Sequence, residues 1–331
     1  MLNAVLTVCL LVACMSEQKS SLDSALSSEE PVVVDSGAPD SEPSSPSEPA
    51  DTEPSEPSDS DPVDAVPAVS ALPQYEVLVE SGIVYAEGQR HDSFGGAVMG
   101  TVPLQLDAFV PDNAASSRPA IVLIHGGGFV GGSRVDPNIV ELATQFARRG
   151  WVAFSIDYRL QSDFGTVPQA WLNAAQSPQA AEYLKIYPAI RDAKAALRWV
   201  VANANSYNIN PDYLTVGGGS AGAVTAIALG VTEGSDYRDE LSLSQDPSLA
   251  TTHLDQSTQV QTILDFWGSG VGVNAVRFLY GHQRFDGRDP ALMIAHGTED
   301  LTVPYDEAQE LVSTYQSTGA PYVLHPIENR G

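Results

Sequence analysis

The stretch that most constrains the fold lies after Pro211: residues 213–230, Y-L-T-V-G-G-G-S-A-G-A-V-T-A-I-A-L-G. Residues 213–216 form a short apolar run of the kind a buried strand shows, and residues 221–229 are small, apolar and alanine-rich, as in a buried helix. Between them Gly218-Gly219-Ser220-Ala221-Gly222 must turn the chain from strand to helix. A G-x-S-x-G spacing in that context describes a sharp turn that holds its serine in a strained conformation. Side chains at the outer glycines would keep strand and helix apart. The free N–H groups of the helix N-terminus then face the serine and favour negative charge developing there. The competing reading is a glycine-rich turn with an incidental serine, and the rest of the chain decides between the two.

Around this turn the pattern alternates. Residues 76–85 and 104–110 read as opening strands, antiparallel to each other. Residues 120–124 are a continuous apolar run, the mark of a strand covered on both faces. That run ends in His125-Gly126-Gly127-Gly128-Phe129. A helix over 139–149 stops at Gly150. The strand over 151–156 leads into Asp157-Tyr158-Arg159. Residues 161–187 are irregular and aromatic-rich, an excursion over one end of the sheet. The helix over 190–204 is amphipathic, with Ile190, Ala193, Leu197, Val200 and Val201 on one face and Arg191, Lys194 and Arg198 opposite. Residues 233–258 are polar and acidic without a period and read as an insertion. Strands over 260–267, 291–295 and 322–327 follow, with a helix over 306–318 between the last two. The class is therefore α/β: a mostly parallel central sheet with helices on both faces and ligands outside the carboxyl ends of its strands.

Composition separates this region from what precedes it. The opening residues 2–13 are apolar and too short for a stable membrane span. They end in Leu11-Val12-Ala13-Cys14, which resembles the lipobox of a bacterial lipoprotein signal peptide, although no Lys or Arg precedes the run. The resemblance implies a signal peptide over 1–13, a lipid on Cys14 and a membrane partner in the cell envelope. An ordinary secretory signal is the alternative. Between Ser16 and Asp64 stand fourteen acidic residues and one base, Lys19, so this segment carries half of the formal −26. Such composition buries too little to offset the entropy of ordering, and residues 14–72 read as a solvated acidic tether. The domain is then 73–331. It too is acidic and shows no basic stripe, which argues against nucleic acid as a partner. The only other cysteine, Cys9, lies in the signal segment, so neither a disulfide nor a cysteine nucleophile is expected.

Four motifs together carry a family resemblance: H-G-G-G-F at His125, D-Y-R at Asp157, G-G-S-A-G at Ser220 and H-G-T-E-D-L-T-V-P at His296. They resemble the α/β-hydrolase superfamily, and within it carboxylesterases and lipases of the hormone-sensitive-lipase-like and feruloyl-esterase-like kind. The resemblance covers the chain from about Leu104 onward. It implies an ester hydrolase in which Ser220 forms an acyl-enzyme, Ala221, Gly127 and Gly128 donate to the oxyanion, and Asp300 orients a histidine. Asp265, inside an apolar strand, is the second candidate for the acid.

The general base has no clear representative. In the family it follows the last strand, and the sequence ends at Gly331. His91, His125, His253, His282 and His296 lie in the wrong places, and His325 has the right order but sits within a strand pattern. The expectation is a chain cut short before its histidine and closing helix, and so inactive as it stands. A non-catalytic binding or adhesion module and a peptidase of the same fold are the competing functions. No metal cluster is visible, and Gly217-Gly218-Gly219 lacks the spacing of a dinucleotide site, so no cofactor is implied. The expected partner is a small ester with a short acyl or aryl group.

Overall fold

A computed structural model describes residues 69–176, 181 and 183–331. The expectations for the signal segment, Cys14 and most of the tether fall outside these residues. The strands are β1 (Val77–His91), β2 (Val98–Pro111), β3 (Arg118–Ile124), β4 (Val152–Ile156), β5 (Ile209–Gly219), β6 (Thr262–Phe266), β7 (Ala291–Gly297) and β8 (Tyr322–Ile327). The helices are α1 (Pro137–Ala147), α2 (Gln169–Ala174), α3 (Ile186–Ala202), α4 (Ala221–Val231), α5 (Val271–Tyr280) and α6 (Tyr305–Thr318). The strands make one sheet in the order β1-β2-β4-β3-β5-β6-β7-β8. β1 and β2 pair antiparallel, as does β2 with β4, and the pairs from β4 across to β8 are all parallel.

The central strands are buried on both faces, which is why they read as unbroken apolar runs. On β3, Ala120, Val122 and Ile124 join one core while Ile121 and Leu123 join the other. The period of two recurs on β7, with Leu292 and Ile294 in the first core and Met293 and Ala295 in the second. Helices α3, α4 and α6 close the first core, and α1 closes the second through Ile139, Ala143, Phe146 and Ala147. β3 is followed by a crossover to β4 on one side, and β5 returns on its other side. The sheet order reverses there, and the crevice at a topological switch point is where α/β folds place their ligands. The chain joins the domain slightly earlier than composition suggests, since the N–H of Ser70 donates to the carbonyl of Arg149.

One expectation is corrected. Arg191, Lys194 and Arg198 do not form a solvated helix face; all three are buried, because the 233–258 segment folds over them. Arg191 donates to Asp246 at 2.6 Å, Lys194 to the carbonyl of Glu233 at 2.6 Å, and Arg198 to the carbonyl of Thr252 at 2.7 Å. Each cation finds its acceptor in the polar segment that read as an insertion.

Candidate active site

β5 runs without a break into Ser220, which has φ 55 and ψ −121, and α4 begins at the next residue. A non-glycine residue in that region costs on the order of 1–3 kcal/mol and persists only where its surroundings over-determine it. Here they do. The Ser220 N–H donates to the carbonyl of Phe266 on β6 at 2.9 Å, and its carbonyl accepts from Val224, the first bond of the helix. A β-carbon on Gly218 would lie 2.4 Å from the carbonyl oxygen of Ile124, and one on Gly222 only 2.1 Å from the same atom. Both glycines of the motif are thus set by contact with the end of β3. Ser220 is half-buried, and its hydroxyl makes no hydrogen bond among the described residues.

The loop after β3 lies directly over the serine. A β-carbon on Gly126 would stand 3.5 Å from Cβ of Ser220. The next two residues, Gly127 at φ 106 and Gly128 at φ 61, take conformations that favour glycine. Among the described residues no acceptor takes the N–H of Gly127, Gly128 or Ala221. His125 anchors this loop: its ring stacks on Tyr158 at 4.2 Å and its Nδ1 lies 2.7 Å from the carbonyl oxygen of Gly126. Burial pushes the His125 pKa down, so the ring is neutral and can donate to that carbonyl. The Tyr158 hydroxyl donates to the carbonyl of His125 at 3.0 Å. Asp157 and Tyr158 of the D-Y-R motif fix the loop, and Arg159 anchors the motif to α3. Asp157 accepts from Arg134 at 2.5 Å, and Arg159 donates to both oxygens of Asp192.

Asp300 follows β7. Its Oδ1 accepts from the N–H groups of Thr302 at 2.8 Å and Val303 at 3.0 Å, while Oδ2 stands 3.9 Å from His296 Nε2. His296 is fully buried and its Nε2 donates to the carbonyl of Val303 at 2.8 Å, so it cannot face a substrate. The chain after β8 folds back on this loop: the Glu299 N–H donates to the carbonyl of Arg330, and Gly331 packs on the backbone of Glu299 and Asp300. His325 is level with Ala295, Phe266 and Gly219 across the sheet. Three inter-strand steps of about 4.8 Å put it roughly 14 Å from the elbow. None of the six histidines hydrogen-bonds to Ser220. Asp265 lies opposite Gly218 on β6, fully buried, accepting from the Gly268 N–H at 2.7 Å on Oδ1 and without a partner on Oδ2. It faces α4 from within the core. Among the described residues no group of His, Cys, Asp and Glu could hold a metal, and no helix is long and apolar enough to cross a membrane.

Three residues that the structure brings to the elbow, Gly126, Tyr158 and Trp267, had no individual role in the sequence reading. Gly126 and Tyr158 lay within the H-G-G-G-F and D-Y-R motifs, and only Trp267 had no signal.

A mostly parallel sheet, a strained serine between β5 and α4, and a glycine loop over it from β3 define the α/β-hydrolase fold. A protein-family profile described as BD-FAE matches residues 106–174 and 179–270. The para-nitrobenzyl esterase of Bacillus subtilis is 31% identical over 126 residues, 38% of this chain and 24% of that protein. Esterase LipC of Mycobacterium tuberculosis is 24% identical over 229 residues, 64% of this chain and 52% of that protein. Among solved structures, the propionate-bound esterase 2 of Thermogutta terrifontis matches with a TM-score of 0.53 at 25% identity, covering 78% of this chain and 84% of that one. The resemblance to α/β-hydrolase carboxylesterases is borne out. The chain spans between about a quarter and about half of the length of these curated relatives.

Proposed function

We propose that this chain is a serine carboxylic-ester hydrolase acting on small esters with a short acyl or aryl group. Ser220 Oγ attacks the carbonyl carbon as its proton passes to a general base, and the carbonyl oxygen takes the negative charge. The alcohol leaves with that proton, and water then releases the acid from the acyl-enzyme. One observation carries the reading: Ser220 is held at φ 55, with the N–H groups of Ala221, Gly127 and Gly128 taken by no described acceptor. Donors of this kind are worth on the order of 3 kcal/mol each to the oxyanion. Asp300 has one oxygen fixed by two backbone N–H groups, which leaves the other to orient an imidazole. In this reading the histidine belongs to residues that follow Gly331 in a longer chain, which would enter beside Asp300. The Thermogutta terrifontis esterase is solved with propionate, which favours the short acyl side. We also propose that Cys14 carries the lipid that tethers the domain to a membrane.

That no histidine touches Ser220 favours a second reading, a hydrolase-like binding module. A fluorophosphonate probe separates the two on a chain carried past Gly331 by its own downstream codons. The hydrolase reading expects labelling that Ser220→Ala abolishes, and turnover about 10⁶-fold below the extended chain for one ending at Gly331. No labelling of the extended chain favours the binding module. A stop codon directly after Gly331 would sink the placement of the base.

A further inference from the structure

Three non-glycine residues take positive φ after strands that meet at the crevice: Phe129 at 62 in the loop following β3, and Ser220 at 55 and Trp267 at 51 directly after β5 and β6. Ser220 is the nucleophile of the reading above, and Phe129 is buried against Tyr158 in the loop over it. Trp267 has no part in that reading. A bulky residue in the left-handed region is an outlier whose cost must be met by its surroundings. Here the Trp267 N–H donates to the carbonyl of Ala295 on β7 at 3.1 Å, and Gly268 follows with its N–H on Asp265. The turn leaves the indole against Gly219, where a β-carbon would lie 3.1 Å from Cζ2 and 3.7 Å from Nε1. Gly219 is therefore bare where the indole lies, one residue before the nucleophile. The ring is half-buried, packed on the second core through Phe266 at 6.1 Å, and its N–H has no acceptor among the described residues.

We infer that Trp267 is a wall of the substrate site, limiting the length of the ester arm that lies on the β6 side of Ser220. The inference rests on the ester-hydrolase reading and adds to it the residue that sets chain length. One feature distinguishes a wall from an ordinary core tryptophan: a core side chain is not left half-open next to a nucleophile. The indole is also fixed: the β7 hydrogen bond holds its backbone and Gly219 holds its edge. A long arm cannot push it aside cheaply.

The test uses Ser220→Ala, which binds esters without turning them over and so does not depend on the general base. Ligand-observed NMR gives affinities for methyl acetate through methyl decanoate, and for ethyl through decyl acetate. Each methylene that gains a buried place tightens binding about fourfold. Affinity should rise and then level off at a short chain in one of the two series. In Ser220→Ala/Trp267→Gly, where glycine accepts φ 51 without strain, the plateau should move to chains longer by two to four carbons. The eight-carbon ester of that series should bind about 16- to 250-fold tighter. Trp267→Phe should fall between. Identical profiles with and without the indole would overturn the inference while leaving the hydrolase reading intact. No binding of any ester by either variant would overturn both. A drop in melting temperature of more than about 10 °C with unchanged profiles would show Trp267 to be a core residue.

Discussion

Asp265 lies opposite Gly218, one strand from the elbow, with Oδ2 unpartnered and fully buried. Burial pushes its pKa from 3.8 up to about 7. An acid raised on folding is ionised in the unfolded chain before it is ionised in the folded one. Its penalty is therefore absent below about pH 4, grows as pH rises to about 7, and is constant above that. The slope can reach about 1.4 kcal/mol per pH unit. Asp265→Asn keeps the acceptor for the Gly268 N–H and removes the charge. It should leave stability near that of the parent at pH 4 and gain on it steadily up to pH 7. Urea midpoints at four pH values across that window check this; a difference independent of pH would show that Asp265 is not its source. At this scale the sequence revealed Ser220, Gly218 and Gly222, because close backbone contact allows only glycine there. It did not reveal Trp267, whose place beside Gly219 depends on the pairing of β5 with β6.

At the scale of elements, the ends of β1 and β2 were hidden because register shifts near Glu80, Val84 and Arg90 break the period of two. Helix α5 was missed because G-V-G-V reads as a loop. Gly272 is there because a β-carbon would stand 2.8 Å from that of Ala228 on α4. The buried face of α3 was misjudged for a related reason: a charged residue reads as solvated until its partner is known, and the partners lie tens of residues away. Arg159 and Asp192 are the strongest instance, both 2% exposed and bonded at 2.6 Å. Asp192 also accepts the Arg159 N–H at 2.9 Å and so fixes the chain directly after the D-Y motif. Removing one partner leaves a buried charge, and Asp192→Ala should cost about 3–5 kcal/mol. Arg159→Met/Asp192→Leu should recover much of that, since apolar replacements of similar volume need no partner. A double-mutant cycle on urea midpoints reads the coupling; a double mutant no better than Asp192→Ala would assign the loss to packing. The pair also supports the loop over Ser220 through Tyr158.

At the scale of the whole molecule, the chain combines an acidic polar segment with a domain that begins its hydrogen bonding at Ser70. If Cys14 carries the proposed lipid, a segment of about 54 residues with random-coil statistics would have a root-mean-square reach of roughly 40 Å, and like charges would extend it. A domain of about 260 residues has a radius of gyration of roughly 18 Å. Under that proposal the segment would hold the crevice a full domain width from a membrane, and its fourteen carboxylates would oppose settling onto an anionic surface. Stable attachment of the proposed kind would need more than one acyl chain, since a single one binds only marginally. The proposed lipid on Cys14 and the proposed chemistry at Ser220 should then be separable. In cells fed an alkyne fatty acid, the parent chain should take up label and Cys14→Ser should not. Fluorophosphonate labelling at Ser220, measured on the same extended chain, should be the same for both. Fatty-acid label persisting in Cys14→Ser would rule out that cysteine as the anchor. A loss of Ser220 labelling would mean that the lipid end and the domain act on each other directly, against the independence that a long acidic spacer provides.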